Sequence, residues 1–148
     1  MSLSALSGKW NMTKKDSSNL EKLLKQNGYS WMKSKTGSYL DRWIAFELIS
    51  DSKIKMTSKT ALCPHTSIIE FELNQPVEKT LEHDRGTATV TASFDQGSGK
   101  FKIETINSDD AKPNVCECYW IEGEELVSSI ESNEIVVNQR YKKGKSEN

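Results

Sequence analysis

The chain has 148 residues, with 20 basic and 21 acidic side chains and a formal net charge of −1. This length suits one domain with a sizeable core, and residues 1–148 are expected to form a single domain. The near-neutral charge provides no general attraction to nucleic acid, and no apolar run is long enough for a membrane-spanning helix. Only 35% of the residues are hydrophobic. This fraction is low for a solid core and fits a barrel around a partly polar cavity.

The first predicted elements are a strand and a helix. Residues 8–15 alternate apolar and polar side chains, with Trp10 and Met12 on one face, as in a half-buried strand. Ser18 is followed three positions later by Glu21, which is the pattern of a capping box. This pattern predicts that a helix begins there.

The helical part of the sequence is predicted to be a short hairpin. Leu20, Leu23 and Leu24 follow the cap at helical spacing, and Gly28 marks the end of the first helix. A second short helix completes a helix-turn-helix over about residues 18–36.

The remainder of the chain is predicted to be strands and turns. Nine alternating segments separated by turn residues lie at about 40–49, 53–60, 67–73, 77–82, 87–94, 100–107, 114–121, 125–131 and 134–142. Such regular spacing favours an antiparallel meander that closes as a barrel or sandwich. Residues 144–148 form a polar tail that is expected to be frayed.

The last predicted strand has two unlike faces. One face carries Ile135, Val137, Gln139 and Tyr141, so that it is apolar at one end and offers an amide and a phenol at the other. In a small barrel this face would seat an apolar molecule and bind its polar head. The alternative is that Gln139 is a solvated strand residue and that Tyr141 only packs its ring.

Several motifs, in their order and spacing, resemble the intracellular lipid-binding proteins, the family of the fatty-acid-binding and cellular retinoid-binding proteins. The matching segments are Gly8-Lys9-Trp10, Asn19-Leu20-Glu21-Lys22-Leu23-Leu24, Phe71-x-Leu73-x-Gln75, Asp84-Arg85-Gly86 and Tyr141-Lys142-Lys143. Two departures are that Leu20 replaces an aromatic residue and that two extra residues separate the halves of the amino-terminal signature.

The resemblance implies a mostly β fold, a ten-stranded antiparallel up-and-down barrel with a helix-turn-helix lid. It also implies a monomeric, non-enzymatic lipid carrier without a cofactor. No His or Cys cluster has metal-ligand spacing, so no metal is expected. The first seven residues lack the basic and long apolar regions of a signal peptide. Three cysteines suit free thiols in a reducing compartment, and a cytoplasmic protein is expected.

Many members of the family hold a fatty-acid carboxylate with two arginines and a tyrosine. By resemblance, Tyr141 is the retained tyrosine, whereas Gln139 and Tyr119 stand at the arginine positions. Both cations are therefore expected to be lost from these positions. Glu117 shares the face of Tyr119, which is unfavourable for an acidic ligand, and a register slip by one residue would turn Tyr119 outward.

Three functions follow from this pattern. The first is a carrier of a long-chain fatty acid or similar amphiphile, whose head would turn toward the barrel mouth, the portal, where Arg85 and Arg42 are expected. The second is a carrier of a neutral lipid or retinoid, because the retinol-binding branch uses glutamines in place of the arginines. The third is a protein-interaction barrel without a lipid, for which a dry and tightly packed interior is expected.

The remaining expected ligand contacts are apolar or small side chains on inward faces. They are Leu20, Leu24, Ile44, Phe46, Met56, Ser128, Ile130 and Val137. The portal is expected to be lined by Trp31, Met32 and Arg42. Lysines of the helical hairpin form either a solvated face or a surface for transient contact with anionic membranes, namely Lys22, Lys25, Lys33 and Lys35.

Overall fold

The computed structural model of the chain describes residues 3–26, 42–60, 67–80, 87–108 and 114–144. A 3₁₀ turn, Leu3–Leu6, precedes the first strand, and helix α1, Ser17–Gln26, follows it. The strands are β1 (Gly8–Lys14), β2 (Arg42–Ser50), β3 (Lys53–Thr60), β4 (Ser67–Glu72), β5 (Val77–Thr80), β6 (Thr87–Asp95), β7 (Lys100–Asn107), β8 (Val115–Glu122), β9 (Glu125–Ser132) and β10 (Ile135–Lys143).

The strands form one antiparallel sheet that curves into a nearly closed barrel. Their order is β4-β3-β2-β1-β10-β9-β8-β7-β6-β5, so that each strand pairs with its neighbour in sequence and β10 also pairs with β1. Strands β4 and β5 are the two ends of this order. The predicted fold class is confirmed, and the predicted strand ends differ from the observed ones by at most two residues.

The larger hydrophobic cluster fills the end of the barrel at which β1 begins. The 3₁₀ turn contacts β2 and β8 there, and its Leu3 and Leu6 side chains are buried. The indole Nε1 of Trp10 donates a 2.9 Å hydrogen bond to the carbonyl oxygen of Leu6, which fixes the turn to β1. The sequence analysis missed this turn, although Leu3 and Leu6 have its three-residue spacing.

Aromatic rings fill the same end of the interior. The ring centroid of Phe46 lies 5.9 Å from that of Phe101 and 5.5 Å from that of Tyr119, with steeply inclined planes. The centroids of Phe71 and Phe101 are 6.1 Å apart in a similar arrangement. Edge-to-face contacts of this kind are favourable because the positive ring edge meets the negative face.

Helix α1 covers part of the opposite end, where β1 ends and β10 begins. Its Leu23 is buried with Ile130 and Val137, and Leu20 packs against this second cluster. Residues 27–36, which would contain the second helix of the predicted hairpin, lie outside the described residues. Within the described ranges, no helix combines the length and the hydropathy that crossing a membrane would require.

The cap of α1 differs from the predicted one. The backbone N–H of Asn19 donates a 3.4 Å hydrogen bond to Asp16 Oδ1, and Asn19 Nδ2 donates a 2.9 Å bond to Asp16 Oδ2. The predicted capping box of Ser18 and Glu21 is wrong, because Ser18 lies exposed inside the first turn and Glu21 pairs with Lys25 at 3.5 Å. The Asp16 carboxylate, at the amino-terminal end of α1, also interacts favourably with the helix dipole.

Replacing the observed cap should cost more stability than replacing the predicted one. We expect Asp16→Ala to lower the free energy of unfolding by about 1 kcal/mol, the usual effect of losing an N-cap. We expect the control Ser18→Ala to change it by less than about 0.5 kcal/mol, as for an ordinary surface substitution. Urea unfolding followed by circular dichroism measures both, and a larger loss for Ser18→Ala would contradict this assignment.

Candidate functional site

A row of polar side chains crosses the interior on three neighbouring strands. Tyr119 of β8 is paired with Ser128 of β9, and Ser128 is paired with Gln139 of β10. All three side chains are buried, and Tyr141, two residues along β10 on the same face, is fully buried as well. The observed register therefore turns Tyr119 inward, and the slip by one residue does not occur.

A cation reaches this row from strand β2. Arg42 begins the strand, and its guanidinium lies close enough to Tyr119, Tyr141 and Glu117 to interact electrostatically with all three. Burial alone would lower the pKa of Arg42, but the two phenols and the Glu117 carboxylate raise it above its usual range. Arg42 is therefore a permanent positive charge inside the barrel.

Arg42 brings a cation to the polar row from outside the two family positions. Arg42 was expected as a head-group cation at the portal, just before the second strand, and the two family positions were expected to have lost their cations. The two family positions do carry Tyr119 and Gln139, but β2 supplies a cation to the same site. A signal was present in the sequence, because Arg42 has the same alternation parity as Ile44 and Phe46, which were predicted to face inward.

Each phenol in the cluster also donates a hydrogen bond to a side chain two residues away on its own strand. The hydroxyl of Tyr119 donates to Glu117 Oε1 at 2.8 Å, and the hydroxyl of Tyr141 donates to Gln139 Oε1 at 3.3 Å. Burial, and next the Glu117 charge, raise the pKa of Tyr119 well above its usual value. Burial also raises the pKa of Tyr141, although Arg42 acts in the opposite direction.

One buried hydroxyl at the site is unsatisfied. Ser128 lies beside the Tyr141 phenol, yet its Oγ makes no hydrogen bond of good geometry within the described part of the chain. Buried polar groups are nearly always paired with protein or water. The Ser128 hydroxyl therefore marks a place where a polar atom of a bound molecule or a water would be stabilised.

A cavity of about 170 Å³ lies beside this cluster among the described residues. It is lined by Arg42, Met56, Ser58, Ser67, Ile69, Phe71, Val90, Ile103, Thr105 and Glu117. Its wall is mainly apolar, with a few hydroxyl groups and one charge of each sign. The interior is thus filled with aromatic rings at one end and open beside Arg42, unlike the fully packed interior expected of an interaction module.

The other predicted contacts fall into three groups. Met56 lines the cavity, whereas Ile44 and Phe46 belong to the larger core cluster. Ile130 and Val137 are buried beneath α1, where Leu20 packs partly buried. The side chains of Leu24, Trp31, Met32 and Arg85 lie outside the described residues, and all of these residues stay predictions as ligand contacts.

The sequence analysis left out much of the cavity wall. Ser58, Ser67 and Ile69 of β3 and β4 line the cavity, as do Ile103 and Thr105 of β7. Strand alternation contained a signal for most of them, because Ser58 follows Ile54 and Met56 at the period of two. Small hydroxyl residues gave no chemical signal that separates a cavity wall from an exposed strand face.

Two cysteines lie on the outer face of β8. Cys116 and Cys118 are half-buried free thiols on the face opposite to Tyr119. Burial, and next the neighbouring Cys118, raise the pKa of the Cys116 thiol to about 11. A raised pKa makes the Cys116 thiol less nucleophilic near neutral pH. In the described ranges, no group of three or more His, Cys, Asp or Glu is arranged to hold a metal ion.

Comparison with known proteins shows the fold. No protein-family model matches the sequence, and the search of curated proteins found no match. Apo lipid binding protein 8 of Caenorhabditis elegans superimposes with a TM-score of 0.84 at 15% identity, covering 97% of this chain and 99% of that one. The chain has the fold of the intracellular lipid-binding proteins.

Two proteins from parasitic worms have the same intracellular lipid-binding fold. Fatty-acid-binding protein 1 of Echinococcus granulosus has a TM-score of 0.80 at 20% identity, covering 97% of this chain and 100% of that one. The fatty acid binding protein of Schistosoma mansoni, in complex with arachidonic acid, has a TM-score of 0.80 at 14% identity, covering 98% and 100%.

The buried phenols should make stability fall at alkaline pH. The pKa of Tyr119 in the folded protein lies well above 10, the usual value for tyrosine. As the pH rises, the unfolded chain therefore releases this proton at a lower pH than the folded protein does. The stabilisation is complete below about pH 10 and is lost above it, at about 1.4 kcal/mol per pH unit for one such group. We expect Tyr119→Phe to make the decline shallower in urea unfolding between about pH 9.5 and 11, whereas equal slopes would contradict the buried neutral phenol.

The unsatisfied hydroxyl of Ser128 should contribute no stability. We expect Ser128→Ala to leave the free energy of unfolding unchanged or to raise it by about 1 kcal/mol, because a buried hydroxyl without a partner is costly. Ser129→Ala, on the outer face of β9, is the control and should change it by less than about 0.5 kcal/mol. A loss above about 1 kcal/mol for Ser128→Ala would mean that this hydroxyl is satisfied in the ligand-free protein.

Proposed function

We propose that the protein is a non-catalytic carrier that binds a fatty acid or a similar amphipathic lipid inside the barrel. The lipid chain lies in the apolar cavity, and its polar head lies at the cluster of Arg42, Tyr119 and Tyr141. The position of Arg42 carries this proposal. A half-buried guanidinium in the wall of a mainly apolar cavity is stabilised by polar partners, and a lipid head group would be a further partner.

The lining of the cavity supports this function. Ligand sites are usually apolar pockets with a few convergent polar groups, and here the polar groups are a guanidinium, phenols and hydroxyls. The related folds include a fatty acid binding protein whose structure holds arachidonic acid. Phenols with a raised pKa are poor general bases near neutral pH, which agrees with a carrier that performs no reaction.

A lipid of ordinary length needs more room than the present cavity. Pockets for small molecules usually measure about 300–1,000 Å³, against about 170 Å³ among the described residues. The described cavity therefore accounts for only part of the space that such a lipid needs.

The proposal includes a cytoplasmic monomer that exchanges its lipid at membranes. Lys22 and Lys25 are exposed on α1, and Lys25 pairs with Glu21 at 3.5 Å. Each lysine near an anionic membrane surface contributes about 1 kcal/mol to binding. A neutral lipid or a retinoid is the second candidate ligand, and the presence of Glu117 in the cavity wall favours it.

The test is a competition experiment on delipidated protein. We expect native mass spectrometry with an equimolar mixture of oleic acid, oleyl alcohol and retinol to show one lipid per chain. Arg42→Gln should raise the dissociation constant of the bound lipid by about tenfold or more, since a hydrogen bond to a charged group contributes about 1.5–3 kcal/mol.

The matched control for this test is Arg140→Gln. Arg140 lies on the outer face of β10 and pairs with Glu122 at 2.7 Å and Glu125 at 3.3 Å. The Arg140→Gln substitution should leave lipid binding unchanged. The carrier function fails if wild-type protein binds none of the three lipids, and the assigned head-group position fails if both arginine variants bind equally well.

A further inference from the structure

We propose that Glu117 is the internal counter-ion of Arg42, so that the barrel accepts a lipid head group only when the group brings no net charge. Alcohols, esters and amides meet this condition directly, and a fatty acid meets it by binding together with one proton. This inference rests on the proposed carrier function and names the ligand class of the same site.

Glu117 is fixed in the cavity wall by the same phenol that contacts Arg42. It precedes Tyr119 by two residues on β8 and faces the same way, and its Oε1 accepts the 2.8 Å hydrogen bond from the Tyr119 hydroxyl. Tyr119 in turn lies beside the guanidinium, and both charged residues line the same cavity. The pairing partners of Glu117 on β7 and β9 are Ile103 and Ile130, which offer the carboxylate no polar contact.

Among the described residues, the charges that line the cavity sum to zero. The charged side chains of this described lining are Arg42 and Glu117, and the phenols of Tyr119 and Tyr141 lie beside them. Burial keeps both phenols neutral well beyond neutral pH. One positive and one negative charge remain, and they lie close enough for the carboxylate to stabilise the charged guanidinium.

A second carboxylate would disturb this balance. With an ionised fatty acid, two negative charges would share one guanidinium in a weakly polar interior, and a buried charge without a partner is very costly. Uptake of one proton together with the fatty acid restores neutrality. An alcohol or amide needs no proton, because it accepts a hydrogen bond from Arg42 and donates one to Glu117.

The first measurement is a proton count on the wild-type protein. Oleic acid and oleyl alcohol, which share the same chain, are titrated calorimetrically near neutral pH in two buffers with different ionisation enthalpies. We expect uptake of about one proton with oleic acid and of none with oleyl alcohol. Accordingly, the dissociation constant of oleic acid should rise about tenfold per pH unit between about pH 6.5 and 8.5, while that of oleyl alcohol stays constant.

The second measurement uses Glu117→Gln, which keeps the size of the side chain and removes its charge. This variant should bind oleic acid without proton uptake, and at about pH 8 its preference for oleic acid over oleyl alcohol should increase at least tenfold. Glu131→Gln, on the exposed outer face of β9, is the control and should behave as wild type.

The outcomes separate this inference from the carrier function. If wild type binds oleic acid without taking up a proton, and Glu117→Gln leaves the preference unchanged, the counter-ion role is overturned while the carrier function stands. If wild type binds neither lipid, the carrier function fails and the inference fails with it. If Glu117→Gln does not fold, the proton count and the pH dependence of the wild-type protein decide the matter.

Discussion

The pairing of β10 with both β9 and β1 is the constraint on which the site depends. It places the last strand of the chain between the first and the penultimate strands and so joins the two halves of the sheet. Met12 of β1 is the partner of Tyr141, and β2 is the next strand beyond β1. Arg42 therefore meets residues that follow it by 75 to 99 positions in sequence, and the charge cluster exists only when the barrel is formed.

The cluster is not explained by stability alone. A buried ion pair is often no better for stability than apolar side chains of similar volume, because desolvation offsets the attraction. Here the barrel gathers a guanidinium, a carboxylate and two phenols beside a cavity, next to a hydroxyl that has no partner among the described residues. Ionisable groups with perturbed pKa values that cluster at a cavity are typical of functional sites, which agrees with the proposed binding site.

Local patterns made much of this fold predictable, but not the long-range contacts. Alternation and turn residues located the strands, because a half-buried antiparallel strand must alternate. The helix cap was missed since Asp16 and Ser18 are both good caps, and only the structure shows which one receives the Asn19 amide. Arg42 was predicted as a portal cation, and its neighbours Tyr119 and Tyr141 become visible only after the barrel closes.

Tyr119 connects the packed and the open parts of the interior. Its ring is held against Phe46 at a centroid distance of 5.5 Å, while its hydroxyl holds Glu117 at 2.8 Å and contacts Arg42. The aromatic core thus fixes the position of the polar atoms before any ligand arrives, which lowers the ordering cost of binding. A change in the packing around Phe46 would move the phenol oxygen and, through it, the distance between the two charges. In the proposed carrier, ligand selectivity would therefore depend on the core as well as on the cavity wall.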